Sequence, residues 1–133
     1  MIRNGRSILV AEDNRVFAEV LRFNLQHAGF DVTVAQNGAV ALDHLKQQSF
    51  ELLITDYQMP IVDGEQLCKA VRQQLCIEQM PIVICSAKGY EFNREVLAAQ
   101  YKIAKFVFKP FSMREMVSIA QELTVLESVT LNV

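Results

Sequence analysis

Glu51 to Gly64 reads ELLITDYQMPIVDG. It opens on a short apolar run, Leu52-Leu53-Ile54-Thr55, whose length and β-branched content suit a fully buried strand, although so short a run also fits a buried helix segment. The run ends on Asp56, and Met59-Pro60 and Asp63-Gly64 then punctuate a loop, because proline fixes φ and glycine takes conformations that other residues resist. A carboxylate at the C-terminal end of a buried strand stands where open parallel α/β sheets hold their ligands. The same carboxylate could instead simply cap a strand or turn. The rest of the chain decides between the two.

Working outward, the 133 residues predict one domain with enough apolar content to bury a core: 51% of the residues are hydrophobic and 21% charged. A net charge of −2 without a basic block argues against a nucleic-acid surface. The N-terminus, MIRNGRS, is polar and unlike a signal peptide, and no run approaches membrane-spanning length, so a cytoplasmic protein with no membrane contact is expected. Cys68, Cys76 and Cys85 are odd in number and lack metal-ligand spacing, which predicts reduced, buried thiols.

In chain order, Ser7–Ala11 reads as a first strand followed at once by Glu12-Asp13. Asn14 caps a helix to about Ala28, with Phe17, Val20, Leu21, Leu25 and Ala28 on its inner stripe, Phe23 off it and Gly29 closing it. Asp31–Ala35 is a second strand, Asn37-Gly38 a turn, and Ala39 to about Gln48 a second helix. After the third strand, a helix runs from Gly64 to Leu75. Pro81–Cys85 is the fourth strand, ending on Ser86, and Tyr90–Gln100 a weaker helix. Phe106–Phe108 is the fifth strand, ending on Lys109-Pro110, and Ser112 with Glu115 forms a capping box for a last helix to about Leu126. Alternating strands and helices predict a doubly wound α/β fold, a five-stranded parallel sheet of flavodoxin-like order 2-1-3-4-5 with helices on both faces. The strand ends then bring Glu12, Asp13, Asp56, Ser86 and Lys109 to one edge.

Three carboxylates at one edge repel each other: a pair about 5 Å apart costs on the order of 3 kcal/mol at an effective dielectric of about 20. Such a cluster suits a hard cation, and Mg2+ prefers oxygen ligands and keeps several waters.

With these residues in place the sequence resembles the receiver domain of two-component response regulators. The resemblance rests on Glu12-Asp13, Asp56 with Met59-Pro60 and Asp63-Gly64, Ser86-Ala87, and Phe106 with Lys109-Pro110-Phe111. It spans about Ser7 to Leu126, so residues 1–133 are expected to form a single receiver domain with a core at about 7–126. It implies that Asp56 accepts a phosphoryl group from a histidine kinase or phosphotransfer protein. It implies Mg2+ on Asp13, Asp56 and the Gln58 backbone carbonyl, with Glu12 acting mainly through water. Lys109 would pair with a phosphoryl oxygen and Ser86 would hydrogen-bond another, while Ser86 and Phe106 would form the switch. A cis Lys109–Pro110 bond is implied as well. Output would leave through the fourth helix, fifth strand and fifth helix, to a protein partner or a second copy.

The sequence departs from the family pattern in places. Ser86 replaces the common threonine, and Phe106 lacks a phenolic hydroxyl. Lys102-Ile103 stands where a Gly-Ala pair commonly follows the fourth helix, so an irregular segment is expected between Gln100 and Lys105. Gln58 and Lys88 occupy positions that tune phosphoryl lifetime in the family. His27 and His44 have no partners at metal spacing and read as surface residues; Met113 and Met116 read as helix-packing or output-face residues. Val129–Val133 is an apolar tail that would be disordered or packed on a partner.

Other classes fit less well. A haloacid-dehalogenase-type phosphatase needs a second acid two residues after the nucleophile, and that place is Gln58. A dinucleotide enzyme needs a G-x-G-x-x-G turn after the first strand, which is missing. A phosphorylation-independent adaptor is disfavoured by the complete acid set. The reading is therefore a switch rather than an enzyme, with only self-phosphorylation and self-dephosphorylation chemistry. It fits a single-domain regulator and an isolated receiver of a larger kinase or regulator alike.

Overall fold

The computed structural model describes residues 6–87 and 93–124. Its strands are β1 (Ser7–Ala11), β2 (Asp31–Ala35), β3 (Leu52–Asp56), β4 (Ile82–Ala87) and β5 (Lys105–Lys109). All pairings are parallel, and the order is β2-β1-β3-β4-β5, as the alternating pattern predicts. The helices are α1 (Arg15–His27), α2 (Gly38–Gln47), α3 (Gly64–Lys69), α4 (Arg94–Tyr101) and α5 (Met113–Leu123).

Strand side chains alternate between the two faces, and two apolar layers result. Leu9, Ala11, Leu53, Ile82 and Ile84 pack with Ala41, Leu45, Leu67, Val71 and Leu97, the side of α2, α3 and α4. Ile8, Val10, Leu52, Ile54, Val83 and Val107 pack with Leu21, Leu25, Met116 and Ile119, the side of α1 and α5. The middle strands are buried on both faces, which is why β3 reads as a continuous apolar run. Each large side chain sealed in these layers contributes about 1.5–3 kcal/mol.

The termini of the elements refine the sequence reading. Asn37 is the N-cap of α2, accepting from Val40 N at 2.9 Å, so that helix begins at Gly38 itself. Asn93 caps α4, so its described part begins at Arg94; the earlier start expected at Tyr90 lies outside the described residues, as do Lys88, Leu126 and the Val129–Val133 tail. Ser112 accepts from Glu115 N at 3.0 Å, but the two-way capping box is made by Asp63 and Gln66. Val20, expected on the inner stripe of α1, is exposed, because the buried face turns through Ala18, Leu21 and Leu25. His27 is exposed and His44 partly so; Met116 is fully buried. Of the thiols only Cys68 and Cys85 are buried, while Cys76 is exposed in the loop after α3.

The end of α3 departs most from a regular helix. Ala70–Gln74 forms a π-helical turn, and Cys76 follows in a left-handed conformation at φ 56°. α4 also ends left-handed, on Lys102 at φ 54° and ψ 54°, a conformation disfavoured without glycine. One guanidinium serves both ends. Arg72 donates to the carbonyls of Tyr101 at 2.8 Å, Lys102 at 3.1 Å and Ile77 at 2.9 Å. The bonds to Tyr101 and Lys102 satisfy carbonyls at the end of α4 that would otherwise be orphaned, and the bond to Ile77 ties in the connection after the π turn. The irregular segment expected between Gln100 and Lys105 is thus a helix end at Lys102 and a short connection into β5.

Candidate functional site

The site residues lie at or directly after the C-terminal ends of the strands, where the sequence reading places them. Asp56 ends β3, Lys109 ends β5, and Ser86 is the penultimate residue of β4; Glu12 and Asp13 follow β1 directly. Parallel register then aligns them: Asp56 pairs with Cys85, Ser86 with Phe108 and Ala87 with Lys109.

Glu12, Asp13 and Asp56 each offer a carboxylate oxygen, and these oxygens lie within 4.8 Å of one another. Glu12 is 3% exposed and Asp56 9%, whereas Asp13 is exposed to solvent. Hard oxygen donors this close, with one side open to water, fit Mg2+ in ligand type and in room for retained waters. Asp13 and the exposed Gln58 line a shallow surface cavity with Tyr57, Met59, Pro60 and Asp63.

Lys109 enters this cluster from β5. Its Nζ donates to Glu12 Oε1 at 3.0 Å and lies 3.5 Å from Asp56 Oδ1. The other Glu12 oxygen accepts from Asn14 N at 3.0 Å, and Asp56 Oδ1 accepts from Tyr57 N at 3.0 Å. Burial and the neighbouring Glu12 charge push the Asp56 carboxyl up to about 6, against the opposing pull of Lys109. Burial acts to lower Lys109, but the hydrogen bond it donates to Glu12 and the Asp56 charge outweigh that and leave it raised. At neutral pH Asp56 is mostly ionised.

The loop carrying Gln58 is tightly built. Ile61 sits at φ 71° with Val62 N donating to Pro60 O at 2.8 Å, a strained three-residue turn. Gly64 donates to Tyr57 O at 2.8 Å, and a Cβ there would fall 2.5 Å from the Asp56 carbonyl. Glycine is therefore required for α3 to start directly against the end of β3.

Ser86 is buried, with its hydroxyl 3.4 Å from the Ala87 carbonyl. Phe106 pairs in register with Ile84 and packs partly buried against the α4-side layer. Two-residue alternation from Ile84 puts Ser86 on that same face. The Lys109–Pro110 bond is cis, as the resemblance implies. α4 and β5 are bridged by Arg94, whose guanidinium lies 5.1 Å from the centre of the Phe108 ring.

Two residues had no functional reading in the sequence. Phe17, read there as a core residue, carries the Lys109 ammonium 4.6 Å from its ring centre. Its position three residues after the N-cap that follows Glu12-Asp13 is the signal that could have found it. Arg72 left no such signal, since its partners are backbone carbonyls and two of them, on Tyr101 and Lys102, are distant in sequence.

Among the described residues no helix is long and apolar enough to cross a membrane. A family model described as response regulator receiver domain matches residues 8–121. Solved structures give the same answer. The chain is 28% identical to a putative response regulator from Chloroflexus aurantiacus, at a TM-score of 0.80, covering 90% of this chain and 97% of that one. It is also 28% identical to the receiver domain of a Francisella response regulator, at a TM-score of 0.81 with the same coverage, 90% and 97%. A signal receiver domain of a signal transduction histidine kinase from Syntrophus aciditrophicus is 26% identical, at a TM-score of 0.79, covering 90% of each chain.

Proposed function

The chain belongs to the response regulator receiver domain family, and from that membership we propose that it is a phosphorylation-dependent switch of a two-component phosphorelay, with Asp56 as the phosphoacceptor. The observation that carries this reading is the placement of Asp56 among Glu12, Asp13 and Lys109 at one sheet edge. The donor is a histidine kinase or phosphotransfer protein. An Asp56 carboxylate oxygen attacks the phosphorus, and the new O–P bond replaces the bond to the donor imidazole. The electron pair of that broken bond stays on the imidazole nitrogen, which takes up a proton. Attack of water on the phosphoryl group later returns the carboxylate, so the chemistry acts on the protein itself with no external substrate turned over.

Asp13, Asp56 and the Gln58 carbonyl would hold Mg2+ directly, with Glu12 acting mainly through water. When bound, the ion supplies positive charge that neutralises the phosphoryl oxygens and the acid cluster. Lys109, already 3.5 Å from Asp56, shifts its donor from Glu12 to a phosphoryl oxygen. The buried Ser86 hydroxyl turns from its own backbone to another phosphoryl oxygen. Because Ser86 and Phe106 share the α4-side face, that movement opens space into which Phe106 can turn. Two packings of α4, β5 and α5 are then available, and phosphorylation biases between them. This face contacts a downstream protein or a second copy.

The test is labelling with acetyl phosphate and Mg2+, followed by intact mass and peptide mapping. Wild-type protein should gain one phosphoryl group on Asp56, and Asp56→Asn should gain none while remaining folded. Undiminished labelling of Asp56→Asn would sink the assignment.

A further inference from the structure

We propose that Phe17 is a positioning residue for Lys109, its ring face forming the wall that holds the lysine ammonium against Glu12 and Asp56. The inference rests on the phosphoacceptor reading of the same site and adds a residue to it.

A lysine side chain is four flexible methylenes ending in a point charge, with little built-in aim. Here the ammonium is confined from two sides. Glu12 Oε1 at 3.0 Å and Asp56 Oδ1 at 3.5 Å attract it from one side. The Phe17 ring, with its centre 4.6 Å away, meets it from another. An aromatic face attracts a cation through its quadrupole without a fixed hydrogen-bond direction. It can therefore keep hold of the ammonium while the donor moves from Glu12 to a new acceptor on Asp56. An aliphatic side chain would fill the volume without attracting the charge.

The ring is itself held. Phe111 meets it edge-on, with centroids 5.6 Å apart and planes at 81°, from the residue after the cis proline that follows Lys109. Its backbone is fixed by the cap of α1, where Asn14 Oδ1 accepts from Phe17 N at 2.9 Å. Asn14 N in turn donates to Glu12 Oε2 at 3.0 Å. Glu12 thus grips Lys109 through one oxygen and, through the other, the turn that aims Phe17. Lys109, Glu12, Asn14 and Phe17 close a ring of contacts, and one misplaced member moves the rest.

The test replaces Phe17 in the full chain by phenylalanines carrying one, two and three ring fluorines, which weaken the quadrupole stepwise with little change of shape. Phe17→Leu and Phe17→Tyr bracket the series. In metal-free protein, the Lys109 ε-methylene protons should show an upfield ring-current shift that Phe17→Leu abolishes and Phe17→Tyr keeps. The rate of labelling by acetyl phosphate should fall stepwise with fluorination, by about threefold to tenfold in Phe17→Leu, and return in Phe17→Tyr. A wild-type spectrum without the ring-current shift overturns the inference. So does a flat rate across the fluorinated series in protein that is labelled normally on Asp56, with the phosphoacceptor reading left standing. If wild-type protein is not labelled at all, that reading falls and the inference falls with it.

Discussion

Lys109 donates to Glu12 at 3.0 Å and stands 0.5 Å farther, at 3.5 Å, from Asp56. Among the described residues Lys109 thus rests on the more buried acid, Glu12, and neutralises Asp56 the less of the two.

Removing that cation should expose how much it offsets. Lys109→Met keeps the stem and deletes the charge, leaving Glu12 buried without its partner. Loss of one member of a buried pair costs about 3 kcal/mol. Urea melts in chelator should show a loss of that order, and Mg2+ should restore part of it. A Lys109→Met protein as stable as wild type without metal would show that Glu12 is not held by this contact.

The raised Asp56 carboxyl makes stability depend on pH in an unusual direction for an acid. Its ordinary value is 3.8 and its folded value about 6. Between these two, the folded state binds more protons than the unfolded state, so metal-free stability from this group falls as pH rises and levels off above about 6. The full change corresponds to about 3 kcal/mol. Asp56→Asn should remove this fall, so the difference between the two stability–pH curves isolates it. Parallel curves would mean that Asp56 titrates normally.

Asp13 is the exposed member of the acid cluster. Asp13→Asn should raise the melting temperature of the metal-free protein by relieving repulsion, and it should weaken the stabilisation that Mg2+ adds by mass action. Melts with and without Mg2+ measure both. A lowered metal-free melting temperature would overturn the repulsion argument.

Arg72 holds three carbonyls, two of them at the left-handed end of α4. Arg72→Met should cost about 2–4 kcal/mol, since charged hydrogen bonds to partly buried carbonyls are lost. Faster amide exchange should appear at the end of α4 and into β5. Adding Lys102→Gly, which adopts φ 54° without strain, should recover about 1 kcal/mol. No recovery would mean that the clamp does not offset the left-handed residue.

Ser86→Ala separates phosphorylation from its consequence. Labelling of Asp56 should continue, while hydrogen-exchange differences between free and beryllofluoride-treated protein on α4, β5 and α5 should shrink. If those differences survive the substitution, or concentrate on α1 and α2, the switch does not pass through the Ser86 hydroxyl.

The order of the chemistry along the chain was legible in the sequence alone. Short β-branched runs alternating with amphipathic ones require a parallel sheet with right-handed crossovers, and that topology alone brings Glu12, Asp13, Asp56, Ser86 and Lys109 to one edge. Asp56 could be read because it ends a run that is apolar on both faces, a local signal. Whether Lys109 rests on Glu12 or on Asp56 could not, since the choice depends on side-chain distances between strands that are distant in sequence. The exposure of Cys76, the π turn at Ala70–Gln74 and the left-handed end at Lys102 also escaped local reading. An irregular segment near Lys102 could be expected from the missing glycine, but not the Arg72 guanidinium that holds the helix end there from 30 residues away. Phe17 marks the same boundary: its spacing on α1 predicts an inward-facing aromatic, and only the packing of α1 against the end of β5 puts its face beneath an ammonium. Periodicity and strand ends are encoded by neighbours in the chain; donors, cations and ring faces are paired by folding.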